Sequence, residues 1–274
     1  MSSRDPFQSY TWKSDIFSCD SNDISTFYAR LNEQVTRLGL LERKLGDAGR
    51  YPLNLYQSPA QKSGQPSLLI SAGFHGEEAA GPWGLLHFLN ELEPELFQQI
   101  NLSLLPLVNP TGFKRGHRFN QLGENPNRGF VLDNGRGKSN DDTSAEGKVL
   151  LEHSQLLQAA SKDGILTCHE DVLLTDTYIY SFEANQNPGP FSKHLRDTLG
   201  QFFPIAQDGE IDDCPVRDGI IFNHFDLSFE AFLVRLGASV GVCSETPGKQ
   251  NLDQRILANS AIMQAFIEQV NARQ

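Results

Sequence analysis

Residues 102–108, Leu-Ser-Leu-Leu-Pro-Leu-Val, are apolar at nearly every position. A strand with one wet face alternates apolar and polar side chains, whereas a strand covered on both faces has no polar side to show. Such a run calls for a sheet with helices packed on each face. The preceding segments agree with this. Ser67–Ala72 reads as a strand, and residues 79–92 read as a helix that tolerates Pro82 in its first turn. Strand, helix and strand in succession form the unit from which parallel sheets are built.

The same alternation continues along the chain. Residues 23–39 place Ile24, Phe27, Tyr28, Leu31, Val35 and Leu38 at helical spacing after an Asp23 cap. Residues 53–56 read as a strand, separated by the turn at 63–66 from the strand that follows. Thr143-Ser144-Ala145-Glu146 has the form of a capping box opening a helix that runs to about Ala160. Strands are predicted at 165–168, at Tyr178–Phe182 and at 239–243, and helices at about 190–200, 226–236 and 252–271. The fold class is therefore α/β: a mixed, mostly parallel central sheet with helices on both faces, in one domain spanning 1–274. Residues 1–64 supply the N-terminal helix and first strands. Residues 109–142 are rich in Gly, Asn and Arg without periodicity and read as one long active-site loop.

Composition narrows the functional classes. With 274 residues, 39% of them apolar, the chain can bury a sizeable core. A formal net charge of −11 excludes the basic footprint that a nucleic-acid surface requires. No apolar run is long enough to span a bilayer, and the start of the chain has neither the basic nor the apolar part of a signal peptide, so a cytoplasmic location is the expectation. Cys19, Cys168, Cys214 and Cys243 form no C-x-x-C pair, which argues against a cysteine zinc site or a disulfide framework.

Ligands in open α/β sheets gather beyond the carboxyl ends of the strands. His75, Asn109, His169 and Glu245 each fall just after a predicted strand. His75 begins His75-x-x-Glu78, a spacing that lets imidazole and carboxylate reach one divalent metal from a single turn. Chance supplies that pair readily, so its meaning depends on the remaining residues.

Those residues form an ordered set. After the strand ending at Val108 comes Asn109-Pro110-Thr111-Gly112, then Arg118-x-Asn120-x-x-Gly123-x-x-x-Asn127-Arg128-x-Phe130, and later His169 and Ser244-Glu245-Thr246-Pro247. Over about 67–130 and 164–250 the chain resembles the zinc carboxypeptidase family, and most of all its bacterial members that trim murein peptides. The resemblance implies a zinc-exopeptidase-like fold and one Zn2+ per chain, held by His75, Glu78 and His169 with a fourth position open. It makes Glu245 the general base and Arg118 the oxyanion stabiliser, chosen over Arg115 and Lys114 by its spacing to Asn127. Asn127 and Arg128 become the clamp for the substrate's terminal carboxylate. Glu77 reads as a solvated neighbour of Glu78, or as the ligand if the motif slips by one residue. Glu170 and Asp171 read as partners orienting an imidazole, or as exposed acids.

Two positions depart from the family pattern. Asn125 stands where an Asp usually supports a zinc-bound His. No Tyr lies between 218 and 242, where the family carries a mobile one; His224 is the substitute candidate for contacting substrate. Glu230 lies near the position that shapes the specificity pocket. There it would favour a basic group such as a diaminopimelate amine, its bland reading being an exposed helical acid. The implied function is a zinc-dependent hydrolase releasing a C-terminal residue from a peptide, for which a cell-wall-derived peptide is one source. The alternatives are an N-acyl-amino-acid amidohydrolase of the aspartoacylase and succinylglutamate desuccinylase type, and a non-catalytic binding protein on the same fold. Small peptides or acyl-amino acids are the expected partners, with no nucleic acid or membrane. The sequence leaves the oligomeric state open.

Overall fold

The computed structural model describes residues 12–273; Asp5 and the rest of the first eleven residues lie outside the described part. Eight strands form the central sheet: β1 (Leu41–Ala48), β2 (Tyr51–Gln57), β3 (Ser67–Ala72), β4 (Asn101–Leu105), β5 (Gly164–Asp171), β6 (Tyr178–Phe182), β7 (Ile220–Phe222) and β8 (Gly241–Pro247). Their order across the sheet is β7-β6-β8-β5-β3-β4-β2-β1. The middle strands β8, β5, β3 and β4 are mutually parallel, while β6 and β2 pair antiparallel on either side of them. The sheet is mixed with a parallel centre, as the uninterrupted apolar runs require.

Period-2 geometry explains why those runs have no polar face. Along β3, Leu68, Ile70 and Ala72 enter one core and Leu69 enters the other. The first core is closed by helices α1 (Ile24–Leu38), α2 (Ala80–Glu91), α6 (Pro190–Gly200) and α8 (Leu252–Asn271), with Phe113 of α3 (Pro110–Arg115). The second is closed by α4 (Ala145–Glu152), α5 (Ser154–Ala160) and α7 (Phe229–Arg235). From β3 the chain passes to β4 on one side and then returns to β5 on the other. That reversal opens a crevice at the carboxyl ends of β3 and β5.

Three local expectations are corrected. Residues 109–142 are not one irregular loop, because they contain α3 and a hairpin pairing Val131–Asp133 with Arg136–Lys138. The capping box does not form. Ser144 caps α4 by accepting from Gly147 N at 2.9 Å, Thr143 Oγ1 donates to Gly129 O, and Glu146 accepts from Asn120 Nδ2. The helix expected to reach Ala160 is divided at His153 into α4 and α5. Strand β1 had no alternating signal. It lies at the sheet edge with residues 41–44 all exposed, and it is held by its backbone pairing with β2 together with the buried side chains of Leu45 and Ala48.

Candidate active site

The site begins where β3 ends. Gly73 turns the chain at φ 69°, and a Cβ there would stand 2.6 Å from Leu107 Cδ1. At Gly76 a Cβ would meet the Gly112 carbonyl carbon at 2.0 Å, so the His75 loop rests directly on the first turn of α3. Asn109 secures this contact. Its Oδ1 accepts from Gly112 N at 2.8 Å, and its amide donates to Phe74 O and Arg118 O at 3.2 and 3.1 Å. The Asn109-Pro110-Thr111-Gly112 segment thus ties the loop bearing His75 to the loop bearing Arg118.

His169 and Glu245 are placed by the sheet itself. They are register partners on the parallel neighbours β5 and β8. Both belong to the alternate positions facing the side of α7, where His169 stacks on Phe74 at a centroid distance of 5.9 Å.

The ligand atoms of His75, Glu78 and His169 lie within 4.8 Å of one another, and all three residues are buried. His75 Nδ1 is 2.6 Å from Glu78 Oε1, and His169 Nδ1 is 2.7 Å from Glu78 Oε2. The outer nitrogen of His75 has its own partner, Asn125 Oδ1 at 3.0 Å. With that Nε2–H donating outward, the Nδ1 lone pair is directed at the cluster. Burial holds the His75 pKa down at about 4, so the imidazole is neutral and able to donate its lone pair. Burial opposes the charge on Glu78, but a proton on either neighbouring imidazole outweighs it and keeps the carboxyl well below its usual range. Two imidazoles and an ionised carboxylate converging from two strand ends fit a divalent metal ion. Asn125→Ala would remove the outward partner of His75 and also the acceptor of Asn127 N. We expect metal affinity to fall about 10–100-fold, the usual cost of losing an outer partner, as read by competition with a chromogenic chelator.

A cavity of about 70 Å³ borders the cluster, and His75, His169, Arg118, Arg128, Glu230 and Glu245 all line it. Arg118 Nη1 lies 3.2 Å from Glu78 Oε1 and 3.3 Å from Glu77 Oε1. Burial opposes its charge, but Glu78, Glu77 and Glu245 keep it protonated. Glu245 has its carboxyl pushed far up by burial and by the charges of Glu78 and Asp171. A cation bound at the cluster is the natural counterweight to that accumulated negative charge.

The remaining sequence candidates divide. Arg128 is half-exposed on the cavity wall, donating to Asn127 O at 2.9 Å with Asp226 Oδ2 at 3.3 Å. Asn127 is more enclosed than a clamp expected to meet substrate. Its Oδ1 accepts from Phe229 N, while its amide nitrogen sits 3.2 Å from His169 Nε2 and 3.5 Å from Glu230 Oε2. His224 is on the wall and exposed, with its ring 6.2 Å from that of Tyr180. Glu77 is not solvated; it is buried against Arg118, and burial together with the Glu78 charge pushes it up to about 8. Glu170 is neither exposed nor bonded to an imidazole. It accepts from Ala80 N at 2.7 Å and pairs with Arg255, which ties β5 to α2 and α8. Asp171 accepts from Tyr178 Oη at 3.0 Å. Glu230 is buried and faces the cavity, unlike the exposed helical acid of its bland reading. Tyr180 also lines the cavity and was missed, because an aromatic inside an apolar strand reads as core.

Comparison with known proteins adds to this geometry. Residues 64–194 match the family model of the succinylglutamate desuccinylase/aspartoacylase catalytic domain. A candidate metallopeptidase from Shewanella amazonensis is 66% identical; the alignment covers 96% of this chain and 99% of that one, with a TM-score of 0.95. The chain belongs to the zinc carboxypeptidase-like family. A second such protein, from Shewanella baltica, is 68% identical over 97% of this chain and 99% of that one, again with a TM-score of 0.95. A metallo-carboxypeptidase from Burkholderia cenocepacia shares the fold at 14% identity, covering 92% of this chain and 70% of that one with a TM-score of 0.68. No curated protein matches the chain. As a member of this family it is a hydrolytic enzyme, a metallocarboxypeptidase or a related amidohydrolase. No helix among its described residues is long and apolar enough to cross a membrane.

Proposed function

We propose that this family member is a zinc-dependent hydrolase that releases the C-terminal residue of a peptide, with cell-wall-derived peptides as its substrate class. One observation carries the reading. Glu245 is the register partner of the cluster residue His169, on a cavity that two arginines, Arg118 and Arg128, also line. His75 Nδ1, Glu78 and His169 Nδ1 would hold the zinc, which when bound supplies a Lewis acid and lowers the pKa of water. Glu245 would take the proton of the attacking water and pass it to the leaving amine. Arg118, held protonated by its carboxylate neighbours, would stabilise the developing oxyanion. Arg128, half-exposed at the wall, can present its guanidinium fork to a terminal carboxylate. Asn127, whose Oδ1 accepts from Phe229 N, would hold α7 in place beside that carboxylate. Glu230 gives the wall a buried carboxyl group, which a substrate amine can pair with, and this supports the cell-wall peptide class.

The match of residues 64–194 to the desuccinylase/aspartoacylase catalytic domain favours a second reading, cleavage of N-acyl amino acids. The two are separated by offering the zinc-loaded protein short peptides with free C-termini, their C-terminally amidated forms and N-acyl amino acids. Release of the last residue from the free peptides, but not from the amidated ones, is the expected result. Cleavage confined to N-acyl amino acids would replace the first reading with the second, and failure on every free peptide would end it.

A further inference from the structure

We propose that Glu77 is a positioning residue for Arg118, acting as its counter-ion when Glu78 is committed to a metal. The proposal rests on the metallohydrolase reading of the site. A single nitrogen of Arg118, Nη1, is shared between Glu77 Oε1 at 3.3 Å and Glu78 Oε1 at 3.2 Å. Glu78 is a poor long-term partner. Its Oε1 also meets His75 Nδ1 and its Oε2 meets His169 Nδ1, so both oxygens belong to the cluster. A divalent ion held there would draw on that negative charge and repel the guanidinium next to it.

Glu77 is outside the cluster and has what Arg118 then needs. Its side chain is 1% exposed, so water does little to screen the pair. Its second oxygen, Oε2, is buried without a hydrogen-bond partner among the described residues, a costly state for a carboxylate. A guanidinium released by Glu78 can satisfy that oxygen and convert one shared contact into a two-pronged fork on Glu77. The neighbouring positions 77 and 78 thereby divide two tasks: Glu78 holds the metal, and Glu77 holds the cation that must stay beside it.

The test needs no substrate. In the zinc-loaded full chain labelled with 15N-arginine, the Arg118 Nε–H resonance is identified by its disappearance in Arg118→Lys. With zinc content unchanged, Glu77→Ala is expected to speed exchange of that proton with water by about tenfold or more, because the guanidinium loses its buried carboxylate contact. Glu77→Asp, which keeps the charge, should restore slow exchange, and Glu77→Gln should give an intermediate rate. Exchange within about twofold of the parent in Glu77→Ala would overturn the proposal. So would loss of zinc in both Glu77→Ala and Glu77→Gln, since Glu77 would then serve the metal cluster itself. A parent chain that binds no zinc defeats the metallohydrolase reading first and is recognised before any resonance is recorded. Failure to find a substrate leaves the exchange result standing.

Discussion

Glu245→Gln is expected to lower turnover by about 10²–10⁴-fold, the contribution of a well-placed proton-transfer group, while leaving fold and metal content unchanged. Gln keeps the size of Glu and loses only the ability to accept and return a proton. Its effect on stability has a definite sign. In the metal-free protein, burial and the charges of Glu78 and Asp171 raise the Glu245 carboxyl well above its ordinary value of 4.5. A carboxyl raised on folding costs stability at every pH above its unfolded value, so removing the charge relieves that cost at pH 7. The variant should therefore melt no lower than the parent while being almost inactive. Retained turnover would remove Glu245 as the base, and a large drop in melting temperature would make it structural.

Arg255→Ala should be the most damaging change away from the cavity. Glu170 and Arg255 form an ion pair whose side chains are 0% and 2% exposed, and Glu170 also accepts from the first backbone N–H of α2. Removing one partner of such a pair leaves a buried charge uncompensated, at a cost of about 3–5 kcal/mol. Burial already raises the Glu170 carboxyl, and Arg255 offsets only part of that. Without Arg255 the carboxyl must take up a proton on folding. That penalty applies above its unfolded value of 4.5 and fades as the pH falls below it. Urea unfolding of parent and variant at pH 7 and near pH 4 should thus show a wide gap that narrows on acidification. A gap that is small at neutral pH would mean that Glu170 finds another partner.

Most of the fold could be read from side-chain pattern, because the central strands are buried on both faces and α1 has a regular apolar stripe with an Asp23 cap. What escaped was held by backbone or by distant contacts. Strand β1 exists through its pairing with β2, and Ser144 displaced Thr143 as a cap because Thr143 is hydrogen-bonded to Gly129 and Asn140. The candidate site was legible where residues follow strand ends, as at His75, His169 and Glu245. It was not legible where a tertiary neighbour decides exposure. Glu77 reads as solvated from sequence because its partner Arg118 comes from a distant segment, and the packing of α7 decides whether Glu230 is a pocket residue or an exposed helical acid. Asn125 departs from the family's Asp, but an amide can still accept from an imidazole N–H, and its Oδ1 lies 3.0 Å from the outer nitrogen of His75.

His75, Glu78 and His169 together are proposed to hold one zinc ion. The most direct measurement is the metal content of the purified full chain and of His75→Ala by elemental analysis, with melting temperatures recorded with and without a chelator. About one zinc per chain is expected, nearly none in His75→Ala, and a melting temperature that falls on chelation in the parent alone, since a ligand bound only to the folded state stabilises it. A parent free of metal after zinc loading, with a melting temperature indifferent to the chelator, would contradict the assignment.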